Sequence, residues 1–294
     1  MTAECWSASR VVLLGTAGML GCELAASLRR RLGDDAQDRL RTFDQSELDI
    51  TDRDAVARVI QGIGPGVVIN AAAYTDVERC ESEVKLATSV NVAGARNVAQ
   101  ACRDAAATLV HFSTDYVFDG RAQQPYRCDD TVNPLNVYGR SKWEGEQAVR
   151  DVGCRNLLVR ASWLYGAAGR NFVEAILAQA ESGRPVRVVD DQIGRPTLAK
   201  DLSEAVLYLL DARAEGAVHF ANSEHCSWFQ FAEEILRQAG LNVAVEPISS
   251  AQLDRRAVRP AYSVLDLSRY TQQTGQTPPP WPDALGRYLR ERGS

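Results

Sequence analysis

The sequence predicts a doubly wound α/β fold, a parallel sheet wrapped by helices, with a smaller α/β lobe towards the C-terminus. Three observations carry that expectation. Short apolar runs alternate with helical patterns up to about residue 165, the spacing of strand–helix–strand units in a parallel sheet. The first run, Arg10-Val-Val-Leu-Leu14, ends in a glycine-rich turn that opens directly into a helical pattern. After Gly166 the alternation becomes less regular, which sets a soft boundary near residue 165. The expected organisation is a disordered lead-in over 1–9, a first domain over 10–165 and a second lobe over 166–294 that returns some elements to the sheet.

The first strand leads into Gly15-Thr16-Ala17-Gly18-Met19-Leu20-Gly21 and then a helix over Cys22 to Arg31. Glycines at such a turn let the backbone approach a pyrophosphate, whose charge is favoured at a helix N-terminus. The other reading is a tight structural turn, and the strand–turn–helix context weighs against it. A second strand over Leu40 to Phe43 ends at Asp44, where a carboxylate can accept from the adenosine ribose hydroxyls and argues mildly for NADH over NADPH. Leu48-Asp49-Ile50-Thr51-Asp52 precedes a helix near Asp54 to Ile60, with Thr51 or Asp52 as its N-cap. The third strand, Val67 to Asn70, runs into Ala71-Ala72-Ala73-Tyr74-Thr75. Three alanines there either let a flat ligand lie against the backbone or pack tightly. A helix over Asn91 to Ala106 carries Val92, Ala95, Val98, Ala99 and Cys102 on one stripe. The fourth strand, Thr108 to Phe112, delivers Ser113-Thr114-Asp115 to the carboxyl edge of the sheet, where open α/β sheets place ligands. The fifth, Asn156 to Arg160, leads into Ala161-Ser162-Trp163-Leu164-Tyr165-Gly166. Beyond it the patterns give helices over Phe172 to Glu181, Leu202 to Leu210 and Phe229 to Gly240, and strands over Val186 to Val189 and Ala217 to Ala221. A last helix, Asp283 to Arg292, follows the break at Pro278-Pro279-Pro280.

Between the fourth and fifth strands, Pro134 precedes a helix that carries Tyr138 and Lys142. Four residues apart, the two side chains share one helix face. An ammonium beside a phenol stabilises the phenolate, making the phenol a better acid than its free pKa of about 10 suggests. Such a phenol next to a carbonyl can protonate the oxygen as a hydride reaches the carbon. A surface Tyr/Lys pair is the competing reading of this motif taken alone.

Several functions are disfavoured. The net charge of −5 and the lack of any Lys/Arg run leave no electrostatic footprint for nucleic acid. Residues 1–9 contain Glu4 and lack the basic and apolar regions of a signal peptide, and no apolar run approaches the ~18 residues of a membrane span. Seven cysteines without a CxxC pair fit reduced thiols in a cytoplasmic protein. His111, His219 and His225 show no metal-ligand spacing, and no metal is expected.

Together these residues resemble the extended short-chain dehydrogenase/reductases, and within them the dTDP-4-dehydrorhamnose reductase group. The resemblance covers nearly everything after residue 10. It rests on GTAGMLG at 15–21, LDITD at 48–52, NAAAYTDVERCE at 70–81, STDYVFDG at 113–120, YGRSK at 138–142 and RASWLYG at 160–166. In the second lobe DQIGRPT at 191–197, SWFQFAEEI at 227–235 and RPAYSVLD at 259–266 also fit. The resemblance implies a Rossmann sheet with a substrate lobe over the cleft, and a reductase of a dTDP-linked 4-keto-6-deoxy sugar that uses NADPH, with NADH also usable. It makes Thr114, Tyr138 and Lys142 the catalytic set. Thr114 would hydrogen-bond the ketone, Tyr138 would donate the proton, and Lys142 would hold the nicotinamide ribose. Gly15, Gly18, Met19 and Leu20 would meet the pyrophosphate, and Asp49 and Ile50 would flank the adenine. Ala73, Tyr74 and Thr75 would lie by the nicotinamide, and Asp115 and Trp163 would contact substrate, Trp163 as a flat apolar wall. Arg195 and Arg259 are candidates for the substrate diphosphate, against the alternative of ordinary surface arginines. Some members form homodimers or bind magnesium; a homodimer stays open here, and no metal-ligand pattern transfers the magnesium. Two rivals share the fold: a 4-ketoreductase for another deoxysugar, and the cofactor-binding regulatory β-subunit of methionine adenosyltransferase. Trp163 and RPAYSVLD favour the reductase.

Overall fold

A computed structural model describes residues 6–292. The first domain contributes β1 (Val11–Leu14), β2 (Leu40–Phe43), β3 (Val67–Asn70), β4 (Thr108–Thr114) and β5 (Asn156–Ala161). Short strands β6 (Leu164–Tyr165), β7 (Val186–Val189), β8 (Ile193–Gly194) and β9 (Thr197–Leu198) follow, then β10 (Gly216–His219), β11 (Cys226–Ser227) and β12 (Val245–Ile248). Six of these make one sheet in the order β10-β5-β4-β3-β1-β2, every neighbouring pair parallel. The chain reverses its direction of travel between β1 and β3, so the crevice above the carboxyl ends of β1, β3 and β4 is where a ligand is expected.

Helices cover both faces: α1 (Met19–Leu32), α2 (Ala36–Arg39), α3 (Arg53–Ile63), α4 (Val77–Ser82), α5 (Val84–Thr88), α6 (Ala95–Asp104) and α7 (Val137–Val152). Then come α8 (Phe172–Glu181), α9 (Ala199–Asp211), α10 (Trp228–Gln238), α11 (Ser268–Thr274) and α12 (Trp281–Arg292). Strand side chains alternate between the two faces. Leu13, Ile69, Val110 and Val159 pack with Leu24 and Leu28 of α1 and Leu202, Val206 and Leu209 of α9. Leu14, Val68, Leu109 and Leu158 pack with α3 and α6 through Val56, Ile60, Val98 and Cys102. Each fully buried aliphatic of this kind is worth about 1.5–3 kcal/mol against exposure. A separate core in the second lobe joins Val173 and Ile176 of α8, Phe231 and Ile235 of α10, and Trp281 and Leu285 of α12.

Local signals hold at most boundaries. Asp52 rather than Thr51 caps α3, its carboxylate accepting from Ala55 N at 2.9 Å, and Gly64 ends that helix in the left-handed region. Several elements differ from expectation. The long helix expected over Asn91 to Ala106 is a π-helical segment, Ser89–Gly94, followed by α6. The strand expected over Ala217 to Ala221 runs over Gly216–His219 and forms the sheet edge beside β5. Helices α4, α5 and α11 and strand β12, paired parallel to β7, are additional. Of the lead-in expected to be disordered over 1–9, residues 1–5 lie outside the described residues. Trp6–Ala8 form a 3-10 turn, and the buried Trp6 donates its indole N–H to Asp211 at 2.7 Å. That anchor sits at the far end of α9, beyond the reach of local sequence patterns. No helix among the described residues is long and apolar enough to cross a membrane.

Candidate active site

Above the carboxyl edge of the sheet lies a cleft of about 450 Å³. Gly18, Met19, Leu20, Ala73, Thr75, Thr114, Asp115, Tyr138, Lys142 and Trp163 line it, so most of the residues singled out in the sequence converge there.

The three glycines of the first turn have separate tasks. Gly15 has φ +82°, and a Cβ on it would lie 2.5 Å from Ala72 N; a Cβ on Gly21 would lie 2.1 Å from Gly15 O. Both therefore permit close backbone packing; Gly15 lies outside the cleft lining, and Gly21 is part of it. Gly18 is the N-cap of α1 and makes no side-chain cap, which leaves the first-turn N–H groups of a fourteen-residue helix open to an anion. This uncapped terminus fits a pyrophosphate.

Two more glycines set the helix that carries Tyr138 and Lys142. A Cβ on Gly139 would lie 2.1 Å from Tyr116 O, and one on Gly145 would lie 2.2 Å from Asn91 O. Helix α7 thus lies directly against the turn after β4 on one side and the π-helical segment on the other. Asn136 caps it, accepting from Gly139 N at 2.7 Å while donating to Val258 O at 2.7 Å, which ties the helix start to the second lobe. Asn91, presented by the π-segment, donates to Ser141 Oγ at 2.9 Å and accepts from Tyr74 N at 2.8 Å. One buried amide therefore fixes the distance between α7 and the loop that holds Ala73 and Thr75. Irregular helical turns of this kind are frequent at functional sites.

The electrostatics depart from the expected Tyr/Lys pair. Burial raises the Tyr138 phenol well above the ordinary tyrosine value, and a hydrogen bond from Thr114 opposes the rise. Lys142 does not lower it in the ligand-free protein, contrary to the simple pair argument. Desolvation outweighs the ammonium here because burial brings Lys142 itself down to about 8, with Glu146 pulling the other way. Glu146 is also bound by Arg160, at 2.8 Å through both Nε and Nη2, in a fully buried pair under α7. Asp115 is buried without an ion pair among the described residues, and burial lifts its carboxyl to about 7.

Trp163 lies in the cleft wall, but not as a flat surface. One face of its indole stacks on Trp228 with centroids 3.6 Å apart. A Cβ on Gly194 would lie 2.4 Å from Trp163 Cε2 and 2.7 Å from two of the atoms bonded to it, Cζ2 and Nε1. That pattern requires an approach over the ring face. Both faces are therefore covered, and Trp163 offers the cleft an edge. Its φ of +47° is a conformation rare for a bulky residue and is held by this sandwich.

Other expected residues do not line this cleft. Asp44 Oδ1 accepts from Ser46 N, Ser46 Oγ and Glu47 N at 2.7, 2.6 and 3.1 Å, so one oxygen serves its own turn. Asp49 Oδ1 does the same for Thr51. Ile50 is buried beneath Gly94. The Tyr74 phenol donates to Glu83. Arg259 pairs with Glu78 at 2.7 Å and Arg195 donates to Glu224 O at 3.1 Å, and neither arginine is among the residues that line the cleft. Residues missed in the sequence do line it: Tyr116, edge-on to Tyr138 at 5.9 Å between centroids, together with Ser162, Trp228 and the exposed Arg170. Only the adjacency of Tyr116 and Ser162 to recognised residues could have suggested them. Trp228 stands in the SWFQFAEEI segment at 227–235, whose resemblance gave it no role, and Arg170 carries no local mark.

A parallel sheet, an uncapped helix after a glycine turn and a Tyr–Lys helix across a shared cleft define the class of extended short-chain dehydrogenase/reductases. Within it, the model of the RmlD substrate binding domain matches residues 9–293, and the chain belongs to that family. It is 39% identical over 286 residues to the spore coat polysaccharide biosynthesis protein SpsK of Bacillus subtilis, covering 97% of this chain and 99% of that one. It is 42% identical to a dTDP-4-dehydrorhamnose reductase of Streptomyces griseus, over 89% of this chain and 86% of the relative. The crystal structure of dTDP-4-dehydrorhamnose reductase from Bacillus anthracis in complex with NADP superposes with a TM-score of 0.92 at 37% identity, covering 96% of this chain and 99% of that one. The family is that of dTDP-sugar 4-ketoreductases, NAD(P)-dependent oxidoreductases.

Proposed function

We propose that this chain reduces the C4 ketone of dTDP-4-dehydro-L-rhamnose to give dTDP-L-rhamnose, with NADPH as the cofactor and NADH usable. The observation that carries the reading is the meeting of Thr114, Tyr138 and Lys142 with the uncapped start of α1 in one cleft. When bound, the nicotinamide supplies the hydride. The α1 terminus at Gly18, Met19 and Leu20 holds the pyrophosphate, and Lys142 donates to the nicotinamide ribose. Thr114 orients the ketone, and Tyr138 gives its proton to the ketone oxygen as the carbon is reduced. Ala73 and Thr75 flank the nicotinamide, and Asp115 and the edge of Trp163 meet the sugar. Arg170 is the cleft cation best placed for a phosphate, in the role first assigned to Arg195 and Arg259. The domains follow from this division: 10–165 binds the cofactor and 166–294 closes over the sugar nucleotide.

Purified protein should oxidise NADPH when dTDP-4-dehydro-L-rhamnose is generated in the assay, and not without it. Turnover only with a different dTDP-4-keto sugar would reassign the substrate. Cofactor binding with no dTDP affinity in calorimetry would favour the regulatory-subunit reading.

A further inference from the structure

We propose that Asp115 is the proton reservoir of the reduction, returning a proton through the Thr114 hydroxyl to the Tyr138 phenolate left by each turnover. This rests on the reading of Tyr138 as the proton donor. The reduction consumes one proton per ketone, and the site that loses it is one where burial makes a phenolate costly. The acid must be refilled at once or it stays trapped in an unfavourable form.

A side-chain path for that proton exists. Asp115 is 2% exposed and lines the cleft. Its Oδ1 lies 3.0 Å from Thr114 Oγ1, and the Thr114 hydroxyl in turn hydrogen-bonds Tyr138. The other oxygen, Oδ2, is fully enclosed and has no hydrogen-bond partner among the described residues. A carboxylate kept only to hold the fold normally satisfies both oxygens. The groups facing Asp115 are short of positive charge. The Ser263 hydroxyl of the second lobe faces it, Tyr116 and Tyr138 are neutral phenols, and Arg255 and Arg259 act on Tyr116. Lys142 has Glu146 as its counter-charge. A carboxyl so placed exchanges its proton near neutral pH, at about 7, below the phenol it serves, so transfer to the phenolate runs downhill.

The step balances without electron transfer. The Asp115 carboxyl O–H gives its proton to Thr114 Oγ1 as the Thr114 hydroxyl proton passes to the Tyr138 phenolate oxygen. A carboxylate, a hydroxyl and a phenol remain, and a proton from bulk solvent, carried in by water at the cleft, restores the Asp115 carboxyl.

Asp115→Asn keeps the shape and hydrogen bonds but cannot carry the proton. With saturating NADPH and dTDP-4-dehydro-L-rhamnose, wild-type kcat should fall above a break near pH 7. The Asn variant should run roughly 10- to 100-fold slower with that break gone, and imidazole should partly restore its kcat but not that of Tyr138→Phe. Thr114→Val, which cuts the path and leaves the Asp115 carboxyl in place while removing the bond Thr114 makes to its Oδ1, should lose the same break and answers the question should the Asn variant not fold. Variants that retain the wild-type pH profile, or an Asn variant that changes KM alone, overturn the relay while the proposed function stands. Wild-type protein that binds NADPH and turns over nothing would sink both.

Discussion

Gly194→Ala puts the second lobe's hold on Trp163 to a quantitative test. The new methyl would arrive 2.4 Å from Trp163 Cε2, whereas carbon contacts settle near 3.5–4.0 Å, so the indole must shift by about 1 Å. It cannot retreat along its normal, because Trp228 lies parallel to it at 3.6 Å with an interplanar angle of 8°. Nor can the backbone at Gly194 withdraw. That residue pairs with Cys226, and its neighbour Ile193 is bonded to Ala261 O and Ser263 N at 2.8 Å each. The ring must slide in its own plane or push Trp228, and either motion changes the edge offered to the cleft. Overpacking of this type costs about 1–3 kcal/mol, and displacing a substrate-positioning group by 1 Å can cost on the order of 100-fold in rate. Steady-state kinetics should show kcat/KM for the sugar nucleotide reduced by roughly 10- to 100-fold. NADPH affinity, read by fluorescence titration, should stay near wild type because α1 and Lys142 are untouched. Wild-type kcat/KM in the alanine variant would refute the sandwich and its role.

Other residues yield sharper chemical tests. Tyr138→Phe should retain cofactor binding and lose about 100-fold or more in turnover, measured by NADPH oxidation. Lys142 titrates at about 8 in the folded chain, against 10.5 unburied. Its ammonium is lost as pH rises through about 8, so NADPH affinity should fall above that pH, while the ligand-free fold gains stability from this residue between about 8 and 10.5. Fluorescence titration and thermal melts across that window check both signs. Glu146→Gln removes the counter-charge from buried Arg160 and should cost on the order of 3–5 kcal/mol in a denaturant melt; it should also move the Lys142 break to lower pH. Asp44→Ala should raise the preference for NADPH over NADH, and an unchanged ratio would place the adenosine ribose elsewhere.

Features that depend on near neighbours in the chain were legible in its residues alone. Alternation and apolar runs mark β1 to β5, because a strand buried on both faces needs consecutive Val, Leu and Ile. The GxxGxxG turn, the Asp52 cap and the Tyr138–Lys142 spacing are legible for the same reason: each works within one turn or one helix face. Tertiary structure decided the rest. Asn91 bridges two segments that are seventeen and fifty residues away, and the π-segment that presents it leaves no pattern distinct from an α-helix. Trp228 reaches Trp163 from sixty-five residues downstream, taking the face that the sequence reserved for the sugar. The charge state of Asp115, Tyr138 and Lys142 was likewise undecided until the second lobe closed over them. Local sequence names an acid, a phenol and an amine, but desolvation sets their pKa values, and desolvation is a property of the packed whole.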